Sequence, residues 1–317
     1  MIRALLVLMT SAAPLAAEVP FLALPLDCTL GETCFIEDYV DADPGPGTKD
    51  YTCGIKSRDA HRGTDIVLAS HAAMEAGINV LAAADGLVEA VRDGVPDRAY
   101  SAEVAKDVQG QECGNAVRIG HENGLQTLYC HMKQGSVAVK PGDIVATGTP
   151  LGQVGMSGKS NIPHVHISVL KDGQVIDPFA PEAGQCGTDQ PQLWETPIAY
   201  EPTGFITAGF SDNVPSFDDV RSGAARRAVI TRTQPLVLYA YFHDAQRGDI
   251  LTITATGPDG QAFEHSELLK DPHRAMFRAS GKRAPNTGWS KGDYRGIATL
   301  TRKGRLIGWR HADVTVE

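Results

Sequence analysis

Three short stretches carry side chains able to grip a metal ion and do acid-base work. His164-Val165-His166 lies within Pro163-His-Val-His-Ile-Ser-Val169, His61-Arg62-Gly63-Thr64-Asp65 lies about a hundred residues upstream, and Leu128-Tyr129-Cys130-His131-Met132 lies between them. Imidazole nitrogens and carboxylate oxygens are zinc ligands. The HxH stretch alternates with β-branched residues and reads as a strand. Residues two apart on a strand share a face at roughly 6.6 Å, so one imidazole can hold an ion while its neighbour faces the same cavity. His61 and Asp65 would stand roughly 13 Å apart on a straight strand. Gly63 offers a bend that brings both to one ion. Three protein ligands leave a position for water, whose pKa a zinc ion lowers to about 7. Hydrolysis of an amide also needs a group that moves protons. No carboxylate is placed as that base, whereas an imidazole with a pKa of about 6.5 can accept or donate.

Other metal chemistries fit less well. His121-Glu122 is followed at the fourth place by Leu125, so no HExxH helix exists. A cupin-like site would want a Glu soon after HxH, and Ile167 to Gly173 holds none.

The set of motifs resembles the lysostaphin-type, or LytM-like, zinc endopeptidases, whose signature is HxxxD, a histidine after a Leu-Tyr strand, and then HxH. The resemblance covers roughly residues 28 to 185 and extends to Val80–Val88, Gly114–Gly120, Val139–Gly148 and Gly155–Gly158. It implies one zinc ion with His61, Asp65 and His166 as metal ligands, and His131 and His164 as the two non-ligand histidines of the active site. Which of these two acts on the water and which faces the oxyanion stays open. All five positions are filled, which speaks against a metal-free activator or scaffold.

The remaining histidines of this half, His71 and His121, sit in turn-like stretches and read as surface residues. Asp41-Ala-Asp43-Pro-Gly-Pro-Gly47 begins like a calcium loop but lacks the later Glu, so it reads as a surface loop.

Residues 1–17 read as a signal peptide, with Arg3, an apolar run from Ala4 to Met9 and beyond, and Ala16-Ala17 before a cut at Glu18. The apolar segment is short for a bilayer span. Six cysteines after such a leader imply an oxidising compartment, periplasmic or extracellular, and up to three disulfides. A hairpin from Val117 to His121 and Leu125 to His131 would lay Cys113 across from Cys130. Cys34 with Cys53 and Cys28 with Cys186 are the expected remaining pairs. The formal charge of −9 becomes −10 once Arg3 leaves, a poor match for nucleic acid or anionic membrane.

The fold class expected is all-β and mainly antiparallel. A peptidase domain of barrel-sandwich type spans 18–190, a Pro-punctuated linker spans 191–202, and an immunoglobulin-like β-sandwich spans 203–317. Leu236–Phe242, Ile250–Ala255, Tyr294–Leu300 and Ile307–Val316 read as strands, with a turn at Gly257-Pro-Asp-Gly260. Residues 92–112 read as a polar inserted loop. A lipoyl-type carrier would need a modifiable Lys at a hairpin tip, and Lys159 instead leads into HxH. Trp289, Trp309, Tyr239 and Tyr241 are candidates for a wall-binding patch, although strand packing is the commoner fate of such residues. The basic segment Arg221–Arg232 reads as a solvated edge. His243, His265, His273 and His311 carry no motif.

The expected function is an exported zinc endopeptidase whose partner is peptidoglycan peptide, cut at a cross-link or at a stem or bridge bond. Two other classes remain in view: a secreted zinc protease acting on glycine-rich proteins, and a non-hydrolytic wall-binding or activator protein.

Overall fold

A computed structural model describes residues 21–317 apart from 183 and 185. The expected leader and its cut lie outside the described residues. Strands make up 44% and helices 6%, which places the chain in the all-β class with mainly antiparallel sheets. No helix among the described residues is long and apolar enough to cross a membrane.

The N-terminal part contains ten strands: β1 (Cys34–Asp38), β2 (Thr64–Leu68), β3 (Asn79–Leu81), β4 (Gly86–Arg92), β5 (Asn115–Gly120), β6 (Leu125–Met132), β7 (Ile144–Val145), β8 (Pro150–Gln153), β9 (His164–Lys171) and β10 (Gln174–Ile176). The main sheet runs β1-β2-β9-β6-β5-β4-β7 with β10 beside β9, and β3 pairs with β8. Short helices α1 (His71–Ala76) and α2 (Val104–Asp107) lie between strands. The second of these falls inside the stretch read as loop; Val104 and Val108 are buried there, which gives a polar segment an apolar foothold.

The C-terminal part contains β11 (Gly204–Ser211), α3 (Phe217–Ser222), β12 (Val229–Ile230), β13 (Leu236–Ala245), β14 (Ile250–Gly257), β15 (Gly260–Leu268), β16 (His273–Lys282), β17 (Gly292–Arg302) and β18 (Arg305–Val316). They form sheets β11-β13-β16 and β12-β18-β17-β14-β15. Phe210, Leu238 and Phe242 from the first sheet and Leu251, Ile253 and Leu300 from the second share one core. Gly257 pairs with Gly260, so the expected turn closes the β14–β15 hairpin. Trp289, Tyr239 and Tyr241 are buried, while Trp309 is exposed, so they form no common patch.

The two parts are packed together. Phe35 and Val67, neighbours on β1 and β2, are buried against Ile206, Val220, Tyr239 and Tyr241, whereas the alternating Ile36 and Ile66 point into the N-terminal core. Period-two alternation therefore gives the β1–β2 ribbon one face toward its own core and one toward the C-terminal sheets. Arg310 lies over the Phe35 ring at 4.6 Å, and Lys56 Nζ donates to the Glu201 carbonyl at 2.8 Å. Trp194 is buried in the N-terminal core, which anchors the Pro-punctuated stretch.

Cys113 is bonded to Cys130; the β5–β6 register sets Val117 opposite Tyr129 and Asn115 opposite Met132, so the bridge is reached from the turn just before β5 and not by direct cross-strand pairing. The other two expected pairs are corrected. Cys28 joins Cys34 across the turn in which Thr29 and Thr33 bond each other, and Cys53 joins Cys186 over a separation of 133 residues. The first partner is set by a tight local turn. The second depends on the chain after β10 returning to the Cys53 loop, where Gly187 N–H donates to the Tyr51 carbonyl.

Candidate metal centre

β2, β9 and β6 lie side by side, and their registers build the centre. Asp65 faces His166 across the β2–β9 pair, and His166 faces Cys130 across the β9–β6 pair. His164 shares the His166 face by strand alternation. His61 stands just before β2, where the chain bends at Gly63. The glycine is needed there for space: a Cβ would come within 2.5 Å of the Ile167 carbonyl and 2.6 Å of His166 Nε2.

Three atoms converge. His61 Nε2 is 3.2 Å from His166 Nδ1 and 3.1 Å from Asp65 Oδ1, and Asp65 Oδ1 is 2.7 Å from His166 Nδ1. The outer nitrogens fix the tautomers. His61 Nδ1 lies 2.7 Å from the Tyr39 carbonyl and must donate to it. His166 Nε2 lies 3.0 Å from Ser168 Oγ, whose own hydrogen goes to the Arg62 carbonyl at 2.7 Å, so Nε2 donates as well. In neutral rings, the inward nitrogens are therefore acceptors facing a carboxylate oxygen, with the Arg58 guanidinium Nη2 3.3 Å from His61 Nε2 at the edge of the cluster. Three acceptors at such separations call for a cation between them, and donors around a tetrahedral zinc stand about 3.3 Å apart. The donor set fits a divalent ion held by His61, Asp65 and His166. The two outer partners, Tyr39 and Ser168, are of the kind that orient ligating histidines.

Two further imidazoles stand beside this point. His131 Nδ1 donates to the Ser157 carbonyl at 2.8 Å and His164 Nδ1 to the Ile162 carbonyl at 2.8 Å, leaving both Nε2 atoms uncommitted to those carbonyls. Their ring centroids are 4.6 Å apart, and His164 Nε2 is 3.8 Å from Asp65 Oδ2. Burial, helped by His164 and His166, pushes the His131 imidazole well below its usual pKa, and burial lowers His164 also. Both rings are neutral near pH 7. Asp65 is fully buried; burial opposes its charge, but the surrounding imidazoles outweigh that and hold the carboxyl well below the usual range.

His131 sits at φ 61°, a left-handed conformation uncommon for any residue but glycine. Its backbone is pinned there: its N–H donates to the Cys113 carbonyl at 2.8 Å, and its carbonyl accepts from Gly155 N–H at 3.0 Å. Gly114 lets that strap pass, since a Cβ there would lie 2.4 Å from the Ser157 backbone. The Cys113–Cys130 bond closes the same strap.

Residues 59–178 match the family described as Peptidase family M23. This stretch is a peptidase family M23 domain. DD-carboxypeptidase/endopeptidase Mpg of Neisseria meningitidis is 37% identical to this chain over 100 residues, 30% of this chain and 22% of the relative. Peptidoglycan DD-endopeptidase ShyC of Vibrio cholerae is 32% identical over 140 residues, 44% of this chain and 27% of the relative. The match spans about a quarter of the length of these curated relatives. Among solved structures, the catalytic domain of the prophage-encoded M23 protein EnpA from Enterococcus faecalis is 26% identical, covering 46% of this chain and 88% of that one, with a TM-score of 0.32.

The M23 domain places all five motif residues together, and it adds others that sequence reading missed. Arg58 Nη2 contacts Asp65 Oδ2, and Arg58 Nε lies 2.8 Å from Asp38 Oδ2, an ion pair by distance although not aligned as a hydrogen bond. Glu37, bulged out of β1, belongs to the same carboxylate group with Asp38 and Asp65; burial, then its two acidic neighbours, pushes its carboxyl up to about 7. Only Ser168, two residues after His166 on one strand face, had a signal in the spacing. His71 and His121 stand apart from the centre. His121 bonds the Asp85 carbonyl and Thr127 instead.

Proposed function

We propose that this chain is an exported zinc-dependent endopeptidase that hydrolyses peptide bonds of peptidoglycan, at a cross-link or at a stem or bridge bond. The observation that carries this reading is the meeting of three inward acceptor atoms, from His61, Asp65 and His166, beside two further neutral imidazoles within an M23 domain. The relatives named as DD-endopeptidases favour the wall peptide as the substrate class.

Zinc bound by His61, Asp65 and His166 would supply a water of lowered pKa and polarise the scissile carbonyl. His131 and His164 would do the rest. With each Nδ1 donating to a backbone carbonyl, each Nε2 is free to take a proton and later return it to the leaving amine. A buried site also strengthens a donor facing the developing oxyanion. The two share these roles.

We assign residues 18–190 to the peptidase domain, 191–202 to the linker and 203–317 to an immunoglobulin-like accessory domain, preceded by a signal peptide at 1–17. Three disulfides suit an oxidising compartment, the periplasm or the cell exterior.

Incubating the purified chain with cross-linked muropeptides, with and without chelator, tests the reading. Peptide-bond cleavage that chelator stops and zinc restores is expected. Cleavage of glycine-rich proteins with muropeptides untouched would favour a proteinase, and zinc binding without any cleavage would favour a non-hydrolytic wall protein.

A further inference from the structure

Asp38 and Asp65 are direct cross-strand partners on β1 and β2, and both side chains are fully buried. Like charges directly opposite one another in an antiparallel pair destabilise it, and a buried carboxylate needs a partner. Two guanidinium groups answer this. Arg58 spans the pair, with Nε at Asp38 Oδ2 and Nη2 at Asp65 Oδ2. Arg274, on β16 of the C-terminal part, reaches Asp38 Oδ1 with Nη2 and donates from Nη1 to the Ser57 carbonyl at 2.8 Å. Ser57 immediately precedes Arg58, so Arg274 holds both the anion that Arg58 pairs with and the backbone that carries Arg58. Ser57 Oγ in turn donates to the Tyr39 carbonyl at 3.0 Å, the same oxygen that receives His61 Nδ1.

We infer that Arg274 is a positioning residue of the metal centre, acting through Asp38, Ser57 and Arg58 on Asp65 and His61. The inference rests on the zinc reading above. Its physical content is the orientation of one carboxylate. Arg58 occupies Asp65 Oδ2, which leaves Oδ1 turned toward His61 and His166. Without Arg274, Asp38 Oδ1 loses its cation while remaining buried, and the Arg58 fork is drawn wholly to Asp38. Asp65 is then free to rotate, and the ligand set loses its fixed geometry. The face of β1 and β2 that carries Asp38 and Asp65 is also the face on which Phe35 and Val67 pack against Ile206 and Tyr241. The C-terminal part is thereby a structural support of the centre as well as a neighbour.

The test uses the full chain and reads zinc affinity by competition with a chromogenic chelator, alongside thermal unfolding of the zinc-free protein. Loss of an outer partner of a metal ligand costs about 10–100-fold in metal affinity. Arg274→Ala is expected to weaken zinc binding by at least about 10-fold, near the low end because it acts through intermediaries. Arg310→Ala serves as the control: it loosens the same interface, where Arg310 covers Phe35, without touching the chain of contacts to Asp65, and zinc affinity should be unchanged. Arg274→Lys keeps the charge but not the two-pronged reach and should fall between wild type and Arg274→Ala; it also stands in if Arg274→Ala does not fold. Wild-type affinity in the Arg274 variants overturns the inference. Equal weakening in Arg274→Ala and Arg310→Ala also overturns it, in favour of a general effect of domain docking. A wild-type chain that binds no zinc would instead remove the reading beneath both.

Discussion

Asp65 and His166 are direct partners in the register of β2 and β9, and their Oδ1 and Nδ1 atoms lie 2.7 Å apart. A pair brought together this way depends on strand register, because a slip by one residue would turn both side chains to the opposite face. Asp65→Asn preserves shape and removes the charge. It should reduce zinc affinity beyond the 10–100-fold expected for loss of an outer partner, with turnover lost in parallel, as a chelator titration beside an activity assay would read. Undiminished zinc binding in Asp65→Asn would take this residue out of the ligand set.

His131 makes the opposite prediction. Its ring lies 4.6 Å from that of His164 and 6.1 Å from that of His166 without contributing to the three convergent atoms, so His131→Ala should keep near-stoichiometric zinc while turnover falls by about 100-fold or more. Activity close to wild type would leave His131 without a role in proton transfer.

Ser168 separates support from ligation. Its hydroxyl accepts from His166 Nε2 and passes its own hydrogen to the Arg62 carbonyl, fixing the tautomer that bares Nδ1. Ser168→Ala should lower zinc affinity or activity by about 10–100-fold with little change in melting temperature. A full loss of folding would mean that the hydroxyl serves the sheet more than the site.

Much of this His/Asp cluster was legible in the linear chain because few side-chain types can ligate a metal ion. His61, Asp65, His131, His164 and His166 stand out by type and spacing, and the strand reading of HxH already places two imidazoles on one face. Arg58, Asp38 and Arg274 carried no such signal: an arginine paired to a carboxylate 236 residues away looks like any other surface charge until β1, β2 and β16 are placed. The disulfides divide in the same way. Cys113 and Cys130 flank one hairpin whose turn is visible, which brings them near each other although the bridge leaves the ladder register, whereas Cys53–Cys186 depends on a long-range return of the chain. Gly63 was legible as a bend, but the reason a glycine is required is the His166 ring packed against it.

The strap around His131 gives a further prediction. Replacing Cys113 and Cys130 together by Ala removes a bridge of sequence separation 17, which for a loop near that length contributes about 3 kcal/mol of stability. The melting temperature should drop. Turnover at a temperature where the variant stays folded should drop too, because the Cys113 carbonyl holds the His131 N–H in its left-handed conformation. Turnover unchanged in the folded variant would show that the other bonds to His131 suffice.

Asp177 makes the pH dependence of stability testable. Its Oδ2 is buried without a hydrogen-bond partner, and burial pushes its carboxyl from the usual value up to about 7. A raised carboxyl pKa means that the folded state holds a proton which the unfolded state has already lost, so this group's contribution to stability falls as pH rises between about 4 and 7. Asp177→Asn cannot ionise. Relative to wild type it should therefore be more stable at pH 8 than at pH 5, by up to about 3 kcal/mol, since about two of the pKa units lie above pH 5 and each is worth about 1.4 kcal/mol. Urea unfolding at the two pH values reads the difference, and a pH-independent gap would show that Asp177 is ordinary in the folded chain.

The most direct measurement is the metal content of the purified, untagged chain, taken by elemental analysis before and after exhaustive chelation. One zinc per chain is predicted, removable by chelator and recovered on adding zinc back, with Asp65→Asn retaining little under the same conditions. A folded chain with no bound transition metal, and no uptake of added zinc, would contradict the account at its base.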